Sequence, residues 1–546
     1  MSQLGGYRGF QLLRELLILL MMTGSITVPV AAAETAPGAG DLTRFATPDS
    51  AMAVILTRLV GEPLSLRDAI SVALEQATAA RIAAAELAAA QGVVRSEKGA
   101  FDPELFGQTI WSGSDQPTAS FFSGADVLET ERRDLEAGIR MNLKYGTELT
   151  AALNSSRLTT NSAFASLSPQ YETAGVLSVR QPLLKGFGPS ASEELTSAEF
   201  DVEAARQHHD SVLQNVRAAV EALYWELYTA ERDYAVALLI HDQASAFLDE
   251  TRLRVQTGLV GPNQVANARV FLAEQQQVVM DREEQLDRIS DSLVTLLGRR
   301  PESGLVRFRP ADEPPTRFPA VAQDSLVAVS IRANHDLQAM ASSVEAIRAR
   351  ERGARWNALP TLDLFGSLGG NGLSGTPQDV IFPGFDEPLR TEVSGGFGES
   401  WTQVRHRDYP TWDIGFVFAL PLGNRIEGGE RDRLRAEVAR AEQQLETARR
   451  SLAEQVRAQH RELVRGQHRL EIAAVGVDAS NEQVRIGLLE FQNGRTTAFE
   501  VVRLAADLAS AQQRYSRAMV RTARAAAELR RLTAGWYPDR FAQASE

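Results

Sequence analysis

The stretch that decides the fold runs from residue 189 to residue 257 and reads PSASEELTSAEFDVEAARQHHDSVLQNVRAAVEALYWELYTAERDYAVALLIHDQASAFLDETRLRVQT. No proline follows Ser190 before Gly261, and apolar or small residues recur in steps of three and four. This spacing is typical of a coiled-coil seam, and one extra step of four, from Leu223 to Leu227, is a stutter that locally unwinds the supercoil. The predicted helix is roughly 100 Å long, far beyond the usual mean of about 11–12 residues. The seam residues are Val202, Ala205, His209, Val212, Val216, Ala219, Leu223, Leu227, Ala230, Tyr234, Ala237, His241, Ala244 and Leu248.

The second half of the chain contains the same pattern. Residues 426–493 again alternate steps of three and four, and the extra step of four falls at the equivalent place, between Leu452 and Val456. A repeated unit of this length indicates an internal duplication, which has to be recognised before a fold is assigned. Three residue pairs match where the long helices end: Gly258 with Gly494, Gln256 with Gln492, and Val265 with Val501.

The duplication predicts two structural repeats with the same order of elements. The two shorter helices of each repeat together match the length of its long helix, so we expect them to stack end to end along it. The first repeat, 63–300, has a helix at 66–99, strands within 104–182, the long helix 189–257 and a returning helix at 264–297. The second, 324–535, has a helix at 324–356, strands within 360–421, the long helix 426–493 and a returning helix at 500–533.

Four segments lie outside these repeats. Residues 1–33 are expected to be a signal peptide that is cleaved before Glu34, because arginines precede the apolar run LLILLMM and three alanines follow it. The run is too short to span a bilayer, which disfavours a membrane anchor. Residues 34–62 are predicted to be a flexible segment, 301–323 a linker between the repeats, and 536–546 a short tail.

The segments between the helices have the period of strands. In LEAGIRMNLK, residues 135–144, the odd positions are apolar or small and the even positions are mostly polar. WDIGFVFALPL, residues 412–422, places aromatic and aliphatic residues on one face in the same way. Residues 135–156 fit either one long bent strand or an extra hairpin that turns at Tyr145-Gly146-Thr147.

Composition excludes several classes of protein. The net charge is −13, which is unfavourable for nucleic-acid binding. The chain has no cysteine, so disulfides, thiolate metal sites and a lipidated cysteine are ruled out. We find no nucleophile elbow, no zinc-protease motif and no phosphate loop, so we expect no enzyme, no metal and no cofactor.

Strands with one apolar and one polar face fit a soluble sandwich or a membrane barrel with lipid outside and water inside. No strand run is long enough to form a separate globular core, and open sheet edges do not occur in lipid. Four to six strands are predicted per chain, whereas membrane barrels have at least eight. The sequence therefore predicts an α+β membrane protein whose β-barrel is shared between identical chains, with the helices continuing as a coiled-coil tunnel.

The chain resembles the TolC family of outer-membrane efflux and secretion channels over about residues 60–535. The motifs that carry the resemblance in the first half are LSLRDAISVAL, FDPEL, VRQPLLKGFG, RVQTGLVGPNQVANARVFLAEQ and LLGRRPE. LPTLDL, FALPLGNRIEGG and FQNGRTTAFEVVRLA are their partners in the second half. The resemblance implies a homotrimer with a twelve-stranded barrel in outer-membrane lipid and a helical tunnel in the periplasm. It also implies two partners, a periplasmic adaptor that meets the helical tips and an inner-membrane pump.

The same resemblance assigns roles to residues at the tips of the long helices. The adaptor-docking tips map onto Thr257, Gly258 and Leu259, and onto Asn493, Gly494 and Arg495. The family constricts its tunnel with acidic side chains shortly after the tip glycines, and Glu500 holds one such position, with Phe491 at an aromatic position before the second tip. Three gate positions depart from the family pattern: Arg503 replaces a second acid, Gln264 replaces an aspartate and Thr496 replaces the gate arginine.

The main alternative from a different class is a periplasmic coiled-coil adaptor or scaffold without a channel. It accounts for the long helices, but not for the alternating strands in which Trp412, Phe416 and Phe418 share one face. The exported substrate is not encoded in any motif that we find.

Overall fold

A computed structural model describes residues 48–258, 261–302, 305–381, 387–493 and 495–538. The predicted signal peptide, the first part of the predicted flexible segment, Leu259, Gly494 and most of the predicted tail lie outside the described residues. Helices and one large sheet account for most of what is described, which confirms the α+β fold class. The helices are α1 Pro48–Arg58, α2 Leu66–Gln76, α3 Thr78–Gly99, α4 Glu193–Gln256, α5 Pro262–Leu297, α6 Gln323–Ala333, α7 His335–Asn357, α8 Phe397–His406, α9 Arg425–Gln492 and α10 Ala498–Leu532.

The long helices α4 and α9 are the spines of the two repeats. Helices α2, α3 and α5 pack on α4, and α6, α7 and α10 pack on α9. Helices α7 and α10 also pack on α4, so the helical layer runs from α3 and α5, through α4, then α7 and α10, to α9. Each repeat therefore contributes two helical columns, one continuous and one made of shorter helices.

The structure corrects the predicted helices 66–99 and 324–356, because each is broken into two. The breaks fall at Ala77 and Asn334, whose ψ angles of 130° and 123° are extended rather than helical. Asn334 also caps the following helix, since its side-chain oxygen accepts the N–H of Leu337. Its side-chain amide donates to the Leu532 carbonyl, so contacts distant in sequence, and not a proline, fix this break.

The described part of the predicted flexible segment 34–62 contains a helix and a strand, which corrects that prediction, and the predicted linker 301–323 contains a strand. Helix α1 packs on α4, and strand β1 (Glu62–Leu64) pairs in parallel with strand β6 (Phe308–Pro310). The Arg309 guanidinium bonds the Glu231 carboxylate at 2.5 Å and the carbonyls of Leu56 and Leu59 at 2.8 and 2.9 Å. These contacts hold both segments against the middle of α4.

Tyr224 of α4 organises the same region, which we call the waist. Its hydroxyl accepts the N–H groups of Ala311 and Asp312, both at 3.0 Å, and donates to the Leu64 carbonyl at 2.9 Å. Its ring meets that of Trp225 edge to face, and both side chains are fully buried. The beginning of the predicted tail is also anchored, because Tyr537 is buried and bonds the Pro319 carbonyl at 3.1 Å.

Six strands form one antiparallel sheet at one end of the helical layer. The sheet order is β2-β3-β4-β5-β7-β8, with β2 and β8 at the two edges. Residues 135–156 belong to a hairpin and not to one bent strand, since β3 and β4 pair from Thr130–Thr160 to Asn142–Glu148. The strands are β2 Glu104–Pro117, β3 Val127–Asn142, β4 Glu148–Thr160, β5 Leu167–Pro182, β7 Thr361–Pro377 and β8 Tyr409–Ala419.

Glu193 lies in the first turn of α4, at the junction between the sheet and the helices. Its side chain packs against Gly353 of α7, and its Oε2 atom has no hydrogen-bond partner in the part of the chain that the structure describes. Burial raises the pKa of the Glu193 carboxyl to about 7, and the neighbouring carboxylates of Glu194, Glu430 and Glu427 act in the same direction. The Arg350 guanidinium opposes these effects and lowers the pKa.

A carboxyl whose pKa is raised on folding stabilises the fold most at low pH. Its contribution is lost as the pH rises from the unfolded value near 4.5 to the folded value near 7. We therefore expect Glu193→Gln to raise the apparent Tm clearly at pH 8 and much less at pH 5. Differential scanning fluorimetry at both pH values checks this, with Glu199→Gln on the exposed side of α4 as the control. An equal effect of Glu193→Gln at the two pH values contradicts the prediction.

Candidate channel wall and helical tips

One face of the sheet is polar and held together by ion pairs. The Arg140 guanidinium on β3 binds the Glu104 carboxylate on β2 through two hydrogen bonds, at 2.7 and 2.9 Å. The Arg180 guanidinium on β5 bridges Glu148 on β4 and Asp363 on β7, at 2.9 and 2.7 Å. Since directly paired residues of antiparallel strands share a face, these charges all lie on the same side of the sheet.

The opposite face is apolar, and each of the six strands has exposed residues on it. The row Leu105, Ile139, Ala151, Leu177, Leu368 and Trp412 follows the cross-strand register from one edge to the other. On β8, Trp412, Ile414, Phe416 and Phe418 each expose about two-thirds or more of their surface. Monomeric soluble proteins rarely expose apolar patches of this extent, so this face is an interaction surface.

Helix α8 lies on the apolar face, near the end of the sheet that is farther from the long helices. The Ser400 hydroxyl bonds the Thr173 hydroxyl of β5 at 2.8 Å, and Gln403 accepts the Leu373 N–H of β7 at 2.8 Å. Val404 packs against Gly175, while Phe397 and Trp401 remain exposed. The sequence did not reveal this helix, because its surroundings are rich in glycine and read as a loop.

The first tip is a helix end stabilised by its own backbone. The Thr257 hydroxyl donates to the carbonyls of Leu253 and Arg254, at 3.3 and 3.0 Å. Gly258 has a φ of 73°, which is left-handed and favours glycine, and its N–H bonds the Val255 carbonyl. Among the described residues, no atom lies within 4 Å of a Cβ built at Gly258, its chain neighbours aside. The returning helix α5 starts at Pro262, and Gln264 is exposed in its first turn.

The second tip brings the gate candidates Glu500 and Arg503 together. The Arg503 guanidinium binds the Glu500 carboxylate at 2.6 Å, and both side chains are exposed. The Thr497 side chain caps α10 by accepting the Glu500 N–H, and Asn493 donates to the Leu489 carbonyl. Arg495 closes the end of α9 through its N–H to the Glu490 carbonyl at 2.8 Å. Phe491 lies in the last turn of α9 and Thr496 in the turn that follows.

Comparison with known protein families decides the family of the chain. A family model described as "Outer membrane efflux protein" matches residues 146–299 and 326–535. The chain belongs to the outer membrane efflux protein family. The two matched segments follow the internal duplication, one in each repeat. Members of this family are outer-membrane channels and not enzymes.

Three solved outer-membrane proteins have a fold similar to that of the chain. The MtrE outer-membrane channel of Neisseria gonorrhoeae is 17% identical, with a TM-score of 0.57, and the match covers 87% of this chain and 90% of MtrE. VceC of Vibrio cholerae is 14% identical, with a TM-score of 0.58 and coverages of 87% and 97%. CmeC of Campylobacter jejuni is 13% identical, with a TM-score of 0.59 and coverages of 86% and 86%. No curated protein sequence matches the chain significantly.

The described residues of the chain contain neither a metal site nor a membrane-spanning helix. They contain no group of three or more histidine, aspartate or glutamate side chains placed to hold a metal ion. Among the same residues, no helix is both long and apolar enough to span a membrane. Sequence reasoning missed the waist around Tyr224, although the adjacent aromatic residues Tyr224 and Trp225 in a long exposed helix are a signal that something packs there.

Proposed function

We propose that three copies of this chain form an outer-membrane channel whose helical tunnel extends into the periplasm. The channel exports small molecules or proteins together with a periplasmic adaptor and an inner-membrane pump, in a tripartite efflux pump or a type I secretion system. The observation that supports it most is a sheet with one exposed apolar face, one charged face and two open edges. Such a sheet fits a barrel wall between lipid and water.

The helical layer supports assembly between copies of the chain. Its two outer columns expose apolar side chains: Val270 and Met280 on α5, and Ile472 and Val475 on α9. Strand β2 directly follows α3, and β8 leads into α9, so the open sheet edges lie on the same two sides as these columns. One neighbouring copy therefore covers both the sheet edge and the helical edge, which favours a closed ring.

An adaptor or scaffold without a channel remains the alternative from another class. It gives no role to the exposed apolar face of the sheet, whose aromatic residues in water favour aggregation. The channel places the same face in lipid, where exposure of apolar side chains is favourable.

Fractionation, native mass spectrometry and bilayer recording test the channel. We expect the protein in the outer-membrane fraction, three chains in detergent, and ion conductance in a planar bilayer. A protein found in the soluble periplasm as a monomer, without conductance, supports the adaptor or scaffold instead.

We also propose that the tips dock the periplasmic adaptor. Thr257, Gly258 and Asn493 end the long helices α4 and α9, roughly 100 Å from the sheet. The open space around Gly258 leaves room for a partner backbone to approach closely. The proposed docking surface also includes Leu259, Gly494 and Arg495, which follow these residues in the sequence.

Bulky residues at both tip glycines are expected to abolish transport in cells while leaving trimer formation and bilayer conductance intact. The double variant Gly258→Trp/Gly494→Trp tests this through drug-efflux or secretion assays and native mass spectrometry. Gly258→Asn is the matched control, because asparagine tolerates the left-handed backbone with a small side chain. Transport that survives the double substitution places docking elsewhere on the tunnel.

We propose that the gate includes Glu500. The family resemblance places Phe491, Gln264 and Thr496 at the other gate positions. In a trimer, three copies of the Glu500 carboxylate around a narrow pore attract cations. Arg503 weakens this field, because its guanidinium binds the same carboxylate. The gate therefore differs in charge from one built on unpaired acids.

Opposite changes in ion selectivity are expected from the two members of the pair. Glu500→Gln is expected to lower the cation-to-anion permeability ratio, and Arg503→Gln to raise it, both by a few-fold at low salt and less at 1 M salt, because salt screens exposed charges. Reversal potentials in a salt gradient measure the ratio. Glu482→Gln, which breaks the exposed Glu482–Arg485 pair of the same spacing on α9, is the control. If neither gate variant changes the ratio, Glu500 is a solvated surface charge.

A further inference from the structure

The two repeats of the chain differ in their strands. In the described part of the chain, the first repeat has four strands between α3 and α4, whereas the second repeat has two between α7 and α9. By position, β2 corresponds to β7, since each follows the short helices, and β5 corresponds to β8, since each leads into a long helix. Among the described residues, which leave out 382–386 of the second repeat, the hairpin formed by β3 and β4 therefore has no counterpart.

Building on the proposed trimer, we propose that this hairpin is part of the barrel wall. Three chains then close an eighteen-stranded barrel, and not the twelve-stranded barrel expected from the family resemblance. The interaction surface is the pair of open edges on β2 and β8, and its partner is a second copy of the same chain. Each β2 edge pairs with the β8 edge of the neighbouring copy.

The pairing of the hairpin shows that it is an integral part of the sheet. Strand β3 pairs with β2 over the whole length of β2, from Glu104–Arg140 to Pro117–Val127. Strand β4 pairs with β5 from Glu148–Arg180 to Leu158–Gln170. Strands of 16 and 13 residues exceed the 9–11 that span a bilayer. The hairpin thus has the length and the hydrogen bonding of the wall.

The hairpin also has the same two faces as the other strands. Leu135, Ile139 and Met141 of β3, with Leu149 and Leu153 of β4, lie on the apolar face of the sheet. Its charged residues Arg140 and Glu148 lie on the polar face, where they bind Glu104 of β2 and Arg180 of β5. If the hairpin folded away as a surface loop or plug, these ion pairs would be broken, and β2 and β5 would each lose the strand that pairs with them on the hairpin side.

The turn of the hairpin is fixed against the entrance of the long helix. Gly146 has a φ of 88° and packs against Pro182 and the Gly186 carbonyl, where a side chain has no room. The Gly188 N–H donates to the Tyr145 carbonyl at 3.3 Å, and the side chains of Thr147 and Gln181 are 2.5 Å apart. This turn therefore lies level with the junction between the sheet and α4.

Topology explains how two extra strands fit without disturbing the helices. An added down-and-up hairpin keeps the alternation of strand directions, so β5 still reaches α4 from the same side. The helical layer keeps four columns per chain while the sheet has six strands. Because barrel diameter grows roughly in proportion to strand number, the barrel is expected to be about half again as wide as one of twelve strands. Barrels of about this size contain an aqueous channel.

Disulfide cross-linking tests the strand order, since the natural chain has no cysteine. Gln108→Cys with Glu136→Cys, and Ala152→Cys with Val176→Cys, pair directly within the chain. We expect both pairs to cross-link within one chain in purified trimers. Gln108→Cys is expected to cross-link between chains with cysteines placed along β8, at Thr411, Asp413 or Gly415. Electron cryo-microscopy of the same trimer is expected to show eighteen strands in cross-section.

Each outcome separates this inference from the proposed function. Cross-links between chains from Ala152 of β4 to β8, or a twelve-stranded section in an intact conducting trimer, overturn the inference and leave the channel standing. Failure of the Gln108–Glu136 pair in the trimer overturns it too, because β2 then has another neighbour. A protein that forms no trimer contradicts the proposed function itself. Ala152→Cys with Ser367→Cys, on strands β4 and β7 that are separated by β5, is the control for non-specific cross-linking.

Discussion

The unpaired backbone at the two edges of the sheet is the constraint on which the rest of the molecule depends. Strands β2 and β8 each have a free side, and hydrocarbon offers no water to satisfy free N–H and C=O groups. In the proposed channel the apolar face lies in lipid, and the free N–H and C=O groups at the two edges then need hydrogen-bond partners from protein. In the proposed trimer, closure with further copies of the chain meets both needs, and the matching edges of the helical layer favour the same neighbours.

The helical part depends on contacts between segments that are far apart in sequence. Tyr224 joins β1 and the segment after β6 to α4 through its hydroxyl, and the buried Arg530 of α10 is paired with Glu221 of α4. A buried ion pair adds little net stability, but loss of one partner leaves an isolated charge and is strongly destabilising. These contacts hold α4 and α10 in one arrangement at the waist, while the tips that we propose as the docking surface are exposed.

Sequence reasoning succeeded where a local period carries the signal and missed what depends on distant contacts. The spacing in 189–257 predicted a long helix, and the structure has α4 over Glu193–Gln256, a few residues shorter at its start. The breaks at Ala77 and Asn334 were not predicted, because alanine and asparagine are both compatible with a helix and the packing decides. Thr257, Gly258 and Asn493 lie at helix ends both in the sequence prediction and in the structure. The pairing of Glu500 with Arg503 could be seen only from the geometry of α10.

The sequence by itself determined the α+β class, the internal duplication and the two-faced strands, because residue spacing along the chain records which face of a helix or strand is apolar. Only the tertiary structure decided that 135–156 is a hairpin, that α8 covers part of the apolar face and that the waist orders the supposed linker. Each of these features depends on contacts with residues that lie farther away in sequence than one helical turn or one strand. Strand register and the choice of neighbouring strand belong to the same category, since any alternating strand can pair with any other until the whole sheet is assembled.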